Sequence, residues 1–509
     1  MSSLLLRADA GSQIGMGHVM RCLALAEPWL QAGSAVMLLT AAPSPAVRTR
    51  AESLGVALRE LSAAPGSPAD VAETIALAQS LRAAWLILDS YHFDAAFQRA
   101  AKAADLRLLV FDDTAHAAHY SADFILNQNL GVTATLYPRR EPTTRFLLGP
   151  RFVQLRREFT CAGLRTSTAR LSSLAPTGGE GRGEGASPKP HILVTLGGSD
   201  PDNVTAQVLS VFRTIPNLSA DIILGPTNPH VASLQSAIRN PQSAITLHSN
   251  PANLPALISR ADLAICAGGT TAWELSYLGV PMLVLVLAEN QRSNAEQLAT
   301  TGAALHTTFA TLDADLRALL ADAPHRAEMS RRARMLVDGL GAFRVWLRMN
   351  EDSLHLRPAT ADDCRRVWDW ANDLSVRAIS FTSDPIPWEQ HVAWFTRKLG
   401  DANTRLWIAE QEGGFVGQVR FDLDGSTATI SVSLDATRRG KNLGALLIWS
   451  ACQKLFRESA VETIHALIKP DNAASIRAFE KAGFEPAGQT EVKGCAALRF
   501  ELKRSAAEP

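Results

Sequence analysis

Residues 7–26 read RADAGSQIGMGHVMRCLALA. The apolar run Leu4, Leu5, Leu6 ends in charged residues, a loop broken by Gly11, Gly15 and Gly17 follows, and apolar residues then recur with helical spacing. Strand, glycine loop and helix in that order open a β-α-β unit, and open α/β sheets take ligands beyond the carboxyl ends of their strands. His18 and Arg21 are three residues apart, so a helix starting near Gly17 sets both on one face of its first turn. Helix N-termini attract anions, and an imidazole in a cleft can take a proton from water. Competing with this are a capping or packing role for His18 and a solvated helix face for Arg21.

The same alternation continues outward. Short apolar runs, AVMLLTA (35–41), AWLILDSY (84–91), LRLLVFDD (106–113) and DFILNQN (123–129), are separated by helical patterns, as parallel sheets require. At 175–190, APTGGEGRGEGASPKP exchanges apolar periodicity for glycine, proline and charge and reads as a flexible connector. A second α/β series then begins with HILVTLGGSD (191–200) and runs through ADIILG (220–225), ADLAICAGGTTAWELSYLG (261–279) and VPMLVLVLAEN (280–290). From about residue 350 the pattern changes to strand, helices, a run of antiparallel-looking strands, then helix, strand and helix. The expected fold class is α/β: two Rossmann-like lobes, followed by a separate α+β domain. The expected divisions are a first lobe at 1–165, a linker at 166–190, a second lobe at 191–345 and the last domain at 352–505.

Composition narrows the function classes. Lys+Arg and Asp+Glu are both 50, so the chain lacks the basic excess that drives nucleic-acid binding. The six cysteines are scattered without C-x-x-C or metal-ligand spacing and read as free thiols of a reducing compartment. No run approaches the roughly 20 apolar residues of a membrane span, and no signal-peptide pattern precedes Arg7. The expectation is a cytoplasmic protein with small-molecule partners, no nucleic acid, no membrane and no metal; the oligomeric state is open.

Within the second lobe, CAGGTTAWEL repeats the strand, Gly-Gly, helix arrangement. Backbone amides after Gly268, at Gly269, Thr270 and Thr271, suit a diphosphate. Thr271-x-x-Glu274 is also a capping box, and spacing alone favours the cap. Gly197 and Gly198 in LGGSD either face the cleft or make a turn, while Asn290 and Gln291 stand beyond a buried strand, where helix capping is the competing role.

These stretches, with LDSY (88–91), LNQN (126–129), LLGPRFVQLRREF (147–159), LGGSDP, AGGTTAWE and AENQ, resemble the UDP-sugar hydrolases of pseudaminic acid biosynthesis, which have the two-lobed glycosyltransferase-B (GT-B) fold. The resemblance spans about residues 3–345 and departs in the glycine-rich linker. It implies that His18 activates water against the anomeric carbon and that Tyr91 and Asn290 line the sugar site. It also implies that UDP is held by Gly17, Arg21, Gly197, Gly198, the Gly268-Gly269-Thr270-Thr271 helix end, Glu274 and Gln291. No metal is required, so Asp313-x-Asp315 and Asp422-x-Asp424 keep a structural reading.

A second site is written in SLDATRRGKNLGALLIW (433–449). A pyrophosphate could lie on the amides from Arg439 to Gly444 with Arg438 or Arg439 nearby; a solvated basic loop is the alternative. With NAASIRAFEKAGF (472–484), this stretch is similar to the GNAT N-acetyltransferases over about residues 352–505. The similarity implies acetyl-CoA as co-substrate, bound by Leu434, Arg438, Arg439, Gly440, Lys441, Asn442, Leu443, Gly444, Asn472, Ser475 and Phe479. Asn442 replaces the middle glycine of the Arg-x-x-Gly-x-Gly/Ala loop, and Phe479 stands where many members carry a proton-donating tyrosine. HLRPATADDC, WANDLSVR (370–377) and PWEQHVAWF (387–395) narrow the similarity to enzymes that acetylate the 4-amino group of UDP-4-amino-4,6-dideoxy sugars. His391 and Trp394 either lie near that sugar or belong to a packed helix. Together the two resemblances imply a bifunctional enzyme, N-acetylation followed by UDP-sugar hydrolysis; the rival is a glycosyltransferase with an acyl-CoA-sensing GNAT domain.

Overall fold

The computed structural model describes residues 3–11, 15–161, 189–198, 200–216, 218–225, 228–238, 244–251, 253–411 and 414–504. The chain divides into two compact units that meet in sequence between Ala342 and Phe343. Both α/β lobes belong to the first unit. Helix Gly341–Met349 carries the chain from one unit toward the other. The connector expected at 166–190 lies, through residue 188, outside the described residues.

In the first lobe, strands β1 (Ser3–Ala8), β2 (Ala35–Thr40), β3 (Ala57–Glu60), β4 (Ala83–Asp89), β5 (Leu108–Phe111), β6 (Phe124–Asn127) and β7 (Arg145–Leu148) form one sheet in the order 3-2-1-4-5-6-7. Every pair is parallel, with Leu6 beside Ile87 and Ala8 beside Asp89 in the central β1–β4 pair. All residues of β1 are buried, as a strand covered on both faces requires. Strand order reverses between β1 and β4. The loops that leave their carboxyl ends diverge there and open the crevice in which such sheets bind ligands.

The second lobe repeats the plan. Strands β8 (His191–Thr195), β9 (Ser219–Leu224), β10 (Ala244–Ser249), β11 (Leu263–Ala267), β12 (Met282–Leu285) and β13 (Leu305–His306) stand in the order 10-9-8-11-12-13. Alternation along the strands supplies two cores: Ile192, Val194, Ile265 and Leu283 join one, and Leu193, Cys266, Met282 and Val284 the other. Here the order reverses between β8 and β11, the strands that precede the two Gly-Gly loops.

The second unit holds a mixed sheet of β14 (His355–Pro358), β15 (Thr404–Gln411), β16 (Gly414–Asp424), β17 (Thr427–Leu434), β18 (Thr463–Ile468), β19 (Glu485–Val492) and β20 (Cys495–Lys503), in the order 14-15-16-17-18-20-19. Its neighbours are antiparallel except β17 and β18. That parallel pairing runs from Thr427–Thr463 to Ile430–Ala466 and no further, although β17 continues to Leu434. The strands part beside the loop that leads into helix Leu443–Glu458. The fold is thus α/β with a mixed, largely antiparallel last sheet. Among the described residues no helix is long and apolar enough to cross a membrane.

Candidate active site

In the first unit a cleft of about 520 Å³ lies between the two lobes. Helix Gly17–Gln31 begins at its edge, and its first turn carries His18 and Arg21 on one face. Asp89, the last residue of β4, receives both. His18 Nδ1 is 2.6 Å from Asp89 Oδ1, while Arg21 donates from Nε to Oδ2 and from Nη2 to Oδ1, each at 2.6 Å. Arg21 Nη1 donates to Asp113 Oδ2 at 2.7 Å, and the guanidinium lies over the Phe111 ring. Burial alone would raise the Asp89 pKa, but the charges of Arg21 and His18 outweigh it and hold the carboxyl below its ordinary value.

This arrangement fixes a tautomer. A carboxylate only accepts, so the short contact requires a proton on His18 Nδ1. Arg21 Nη2, 3.3 Å from the same nitrogen, also only donates and competes poorly. The neutral ring then carries its basic lone pair on Nε2. Arg21, read alternatively as a solvated face, is in fact 6% exposed and bound to two carboxylates.

Tyr91 stands two residues beyond Asp89. Its ring meets His18 edge-on at 5.4 Å, and its hydroxyl accepts a 3.0 Å hydrogen bond from Asn290 Nδ2 in the other lobe. Burial raises the phenol pKa, so the hydroxyl keeps its own proton for a second partner. Gln291 accepts from the Leu287 amide rather than capping helix Arg292–Thr300. Gly17, Gly197, Gly198, Gly268, Gly269, Thr270, Thr271 and Glu274 line the same cleft. Gly197 has φ +98°, a conformation that excludes most side chains.

The capping box expected at Thr271 and Glu274 is absent. Gly269 is the N-cap of helix Thr270–Leu278 and no side chain caps it, which sets Thr271 inside the first turn. No side chain caps the amides of Thr270 and Thr271. Glu274, 7% exposed, instead accepts from Arg156 Nε at 2.8 Å. Burial raises the Glu274 pKa and Arg156 offsets part of that rise. Both Arg156 contacts use Oε1. Asp89, Asp113 and Arg156 were not singled out by sequence reasoning. For the two carboxylates the signal was present: WLILD (85–89) and LLVFDD (108–113) each carry an apolar strand into a carboxylate at the ligand edge of the sheet.

Three of the four Asp-x-Asp carboxylates accept hydrogen bonds from neighbouring side chains. Asp313 accepts from Arg317 and from Thr214, Asp315 accepts from Thr307, and Asp422 accepts from Lys398. Asp424 ends β16. Among the described residues no group of three His, Cys, Asp or Glu is placed to hold a metal ion.

In the second unit, Leu434 ends β17, and the loop Asp435–Asn442 leads into helix Leu443–Glu458. Arg438 Nε donates to the Phe415 carbonyl. Arg439 donates to Ser375 Oγ at 2.6 Å, to Asp373 and to the Leu434 carbonyl. Gly440 has φ +77°, and Lys441 is exposed. Asn442 is the N-cap in the left-handed region at φ 60°, a conformation asparagine tolerates better than most residues. Lys481 Nζ donates to Asn442 Oδ1 at 2.9 Å, which brings a cation to the start of the helix. A Cβ at Gly444 would stand 2.9 Å from Leu434 Cδ1, so the helix packs closely on β17 there.

Asn472 caps helix Ala473–Lys481 by accepting from the Ser475 amide. Phe479 is buried, edge-on to Phe484. His391 is 2% exposed, bonds the Cys364 carbonyl through Nε2 and stacks on Phe395, with the Trp394 ring tilted against it. Burial lowers its pKa. Of its two readings, the packed helix is the one realised.

Residues 191–338 match the model of the glycosyltransferase family 28 C-terminal domain, and residues 353–485 match that of the GNAT acetyltransferase domain. The chain is similar to the UDP-2,4-diacetamido-2,4,6-trideoxy-beta-L-altropyranose hydrolase of Campylobacter jejuni, 24% identical over 59% of this chain and 97% of that one. The spore coat polysaccharide biosynthesis protein SpsG of Bacillus subtilis is 33% identical over 30% of this chain and 48% of its own length. The protein MJ1062 of Methanocaldococcus jannaschii is 23% identical over 94% of this chain and 95% of its own, so the similarity there runs through both units.

Proposed function

We propose that the chain is a bifunctional enzyme of UDP-sugar metabolism. The GNAT unit moves an acetyl group from acetyl-CoA to the 4-amino group of UDP-4-amino-4,6-dideoxy-N-acetyl-β-L-altrosamine. The two-lobed unit then hydrolyses the product to UDP and free 2,4-diacetamido-2,4,6-trideoxy-L-altrose. The observation that carries the hydrolase reading is the Asp89–His18 pair at the cleft edge, with Nδ1 committed to a carboxylate.

His18 Nε2 takes one proton from water as the water oxygen attacks the anomeric carbon. The bond from that carbon to the diphosphate oxygen breaks, and its electron pair leaves with UDP. The uncapped amides at Thr270 and Thr271 meet the charge that develops on the diphosphate. Tyr91, its hydroxyl oxygen occupied by Asn290, donates toward the sugar or the water. Glu274 Oε2, the oxygen Arg156 leaves open, accepts from the ribose hydroxyls.

In the GNAT unit, the amine attacks the thioester carbonyl and the CoA thiolate leaves. The pyrophosphate lies on the amides from Arg439 to Gly444, with Lys481 beside the helix start. Phe479 carries no proton to give, so the nitrogen releases one proton to water as the amide forms and the departing thiolate takes one from water.

The match to a glycosyltransferase family supports a second reading, transfer of the sugar to an acceptor. A mass-spectrometric and NMR time course without acceptor separates the two. Acetylated UDP-sugar and CoA appearing first, then UDP with free sugar, is the expected result. UDP release only on adding an acceptor favours the transferase, and acetyl-CoA left intact removes the acetylation step.

A further inference from the structure

We propose that His116 is a positioning residue of the hydrolytic site, fixing the Tyr91 ring so that its hydroxyl reaches Asn290. The inference rests on the hydrolase reading above. Tyr91 is 37% exposed on the loop after β4, where a free ring would lose torsional freedom on engaging a partner. Two imidazoles hold it. His18 meets the ring at 5.4 Å and 87°, and His116 meets it at 5.6 Å and 86°.

His116 is itself held. Its Nδ1 lies at ion-pair distance, 3.0 Å, from Asp112 Oδ2 but outside hydrogen-bond geometry, and both ring nitrogens are buried. Asp112, 1% exposed, accepts from the amides of Thr114 and Ala115 at 2.7 and 2.6 Å and from the Tyr120 hydroxyl, while Tyr137 bonds its carbonyl. So many anchors leave the carboxylate one position. The consecutive carboxylates after β5 therefore serve both halves of the site. Asp113 holds Arg21, which holds Asp89 and through it His18. Asp112 holds His116, which sets Tyr91.

The test is His116→Ala and His116→Phe, each alone and with Tyr91→Phe, assayed for acceptor-free UDP release by the full-length chain. Edge-to-face contact is the working interaction, so His116→Ala lowers kcat about tenfold with KM unchanged, and His116→Phe, which keeps a ring, restores most of it. In the Tyr91→Phe background, His116→Ala costs nothing further. His119→Ala, which removes a partly exposed ring paired with Glu141, is the silent control.

A second readout is independent of turnover. The side-chain amide resonance of Asn290, identified by its loss in Asn290→Ala, shifts toward that of a free amide in His116→Ala and stays in His116→Phe. A shift without hydrolysis by the wild type supports the positioning role and removes the hydrolase reading. An unmoved resonance overturns the proposal, as does an equal loss of kcat with and without the Tyr91 hydroxyl. Should His116→Ala not fold, His116→Gln, which lacks the ring but keeps a polar group toward Asp112, is read by the same criteria.

Discussion

Asp89 Oδ1 stands 2.6 Å from His18 Nδ1, and the same carboxylate takes Nε and Nη2 of Arg21. One buried acid thus sets the tautomer of the proposed base and neutralises the arginine beside it. His18→Ala removes the proton acceptor and lowers UDP release by about 10² to 10⁴, with UDP affinity retained, measurable by calorimetry. Release near the wild-type rate would exclude His18 as base.

Asp89→Asn separates the two roles of the carboxylate. An amide offers a donor as well as an acceptor, so the imidazole can place its proton on Nε2 and lose its basicity toward the cleft. Turnover falls with His18 still present. Arg21 loses the charge that matches it, and the unfolding free energy drops by about 3 to 5 kcal/mol. Denaturant unfolding beside single-turnover kinetics on folded protein distinguishes the effects.

Glu274 and Arg156 make an asymmetric prediction. Arg156→Ala leaves a buried carboxylate without its partner and destabilises the first unit by about 3 to 5 kcal/mol. Glu274→Gln removes the charge, keeps an acceptor, and weakens binding of UDP more than of inorganic pyrophosphate, which lacks the ribose. Equal losses for both ligands would remove the ribose contact.

Glu27 gives a pH dependence. Burial, together with the nearby Glu158, raises its pKa from 4.5 to about 7, against the Arg157 amide that lowers it. The folded state binds this proton more tightly than the unfolded chain, so the group's contribution falls as pH rises from about 4.5 through 7. Glu27→Gln, which keeps the acceptor, raises the unfolding free energy at pH 8.5 by about 1 to 3 kcal/mol and leaves it unchanged at pH 4. An equal gain at both pH values would mean that the charge is not its source.

Lys481 and Asn442 test the altered GNAT loop. Lys481→Ala removes the cation bonded to Asn442 and raises KM for acetyl-CoA about tenfold with kcat little changed. Asn442→Gly relieves the left-handed strain while removing the tether. If Lys481 acts by its charge, the Lys481→Ala loss persists in the Asn442→Gly background; if it acts only through the asparagine, the loss disappears there.

Much of the first site was legible because its residues cluster at sequence signals. Each glycine loop follows a buried apolar strand, and the carboxyl ends of such strands are where α/β sheets bind ligands. His18, Gly198 and Thr270 were reachable on those grounds. The spacing of Thr271 and Glu274 fits a helix starting two residues later than the one that forms, whose N-cap is Gly269. His391 shows the opposite difficulty, since a helical pattern cannot tell a ring facing a ligand from one stacked on Phe395.

The sequence by itself determined two parallel α/β lobes and a third α+β part, because periods of 2 and 3.6 residues and glycine punctuation report local geometry directly. Tertiary structure alone decided what each functional side chain bonds to. Asp89 lies 71 residues from His18, Arg156 lies 118 from Glu274, and Asn290 lies 199 from Tyr91. Strand order and the closure of the two lobes bring these pairs together. Partners so far apart in the chain leave no periodic trace, and for the charged pairs only the packing that removes them from water makes each need the other.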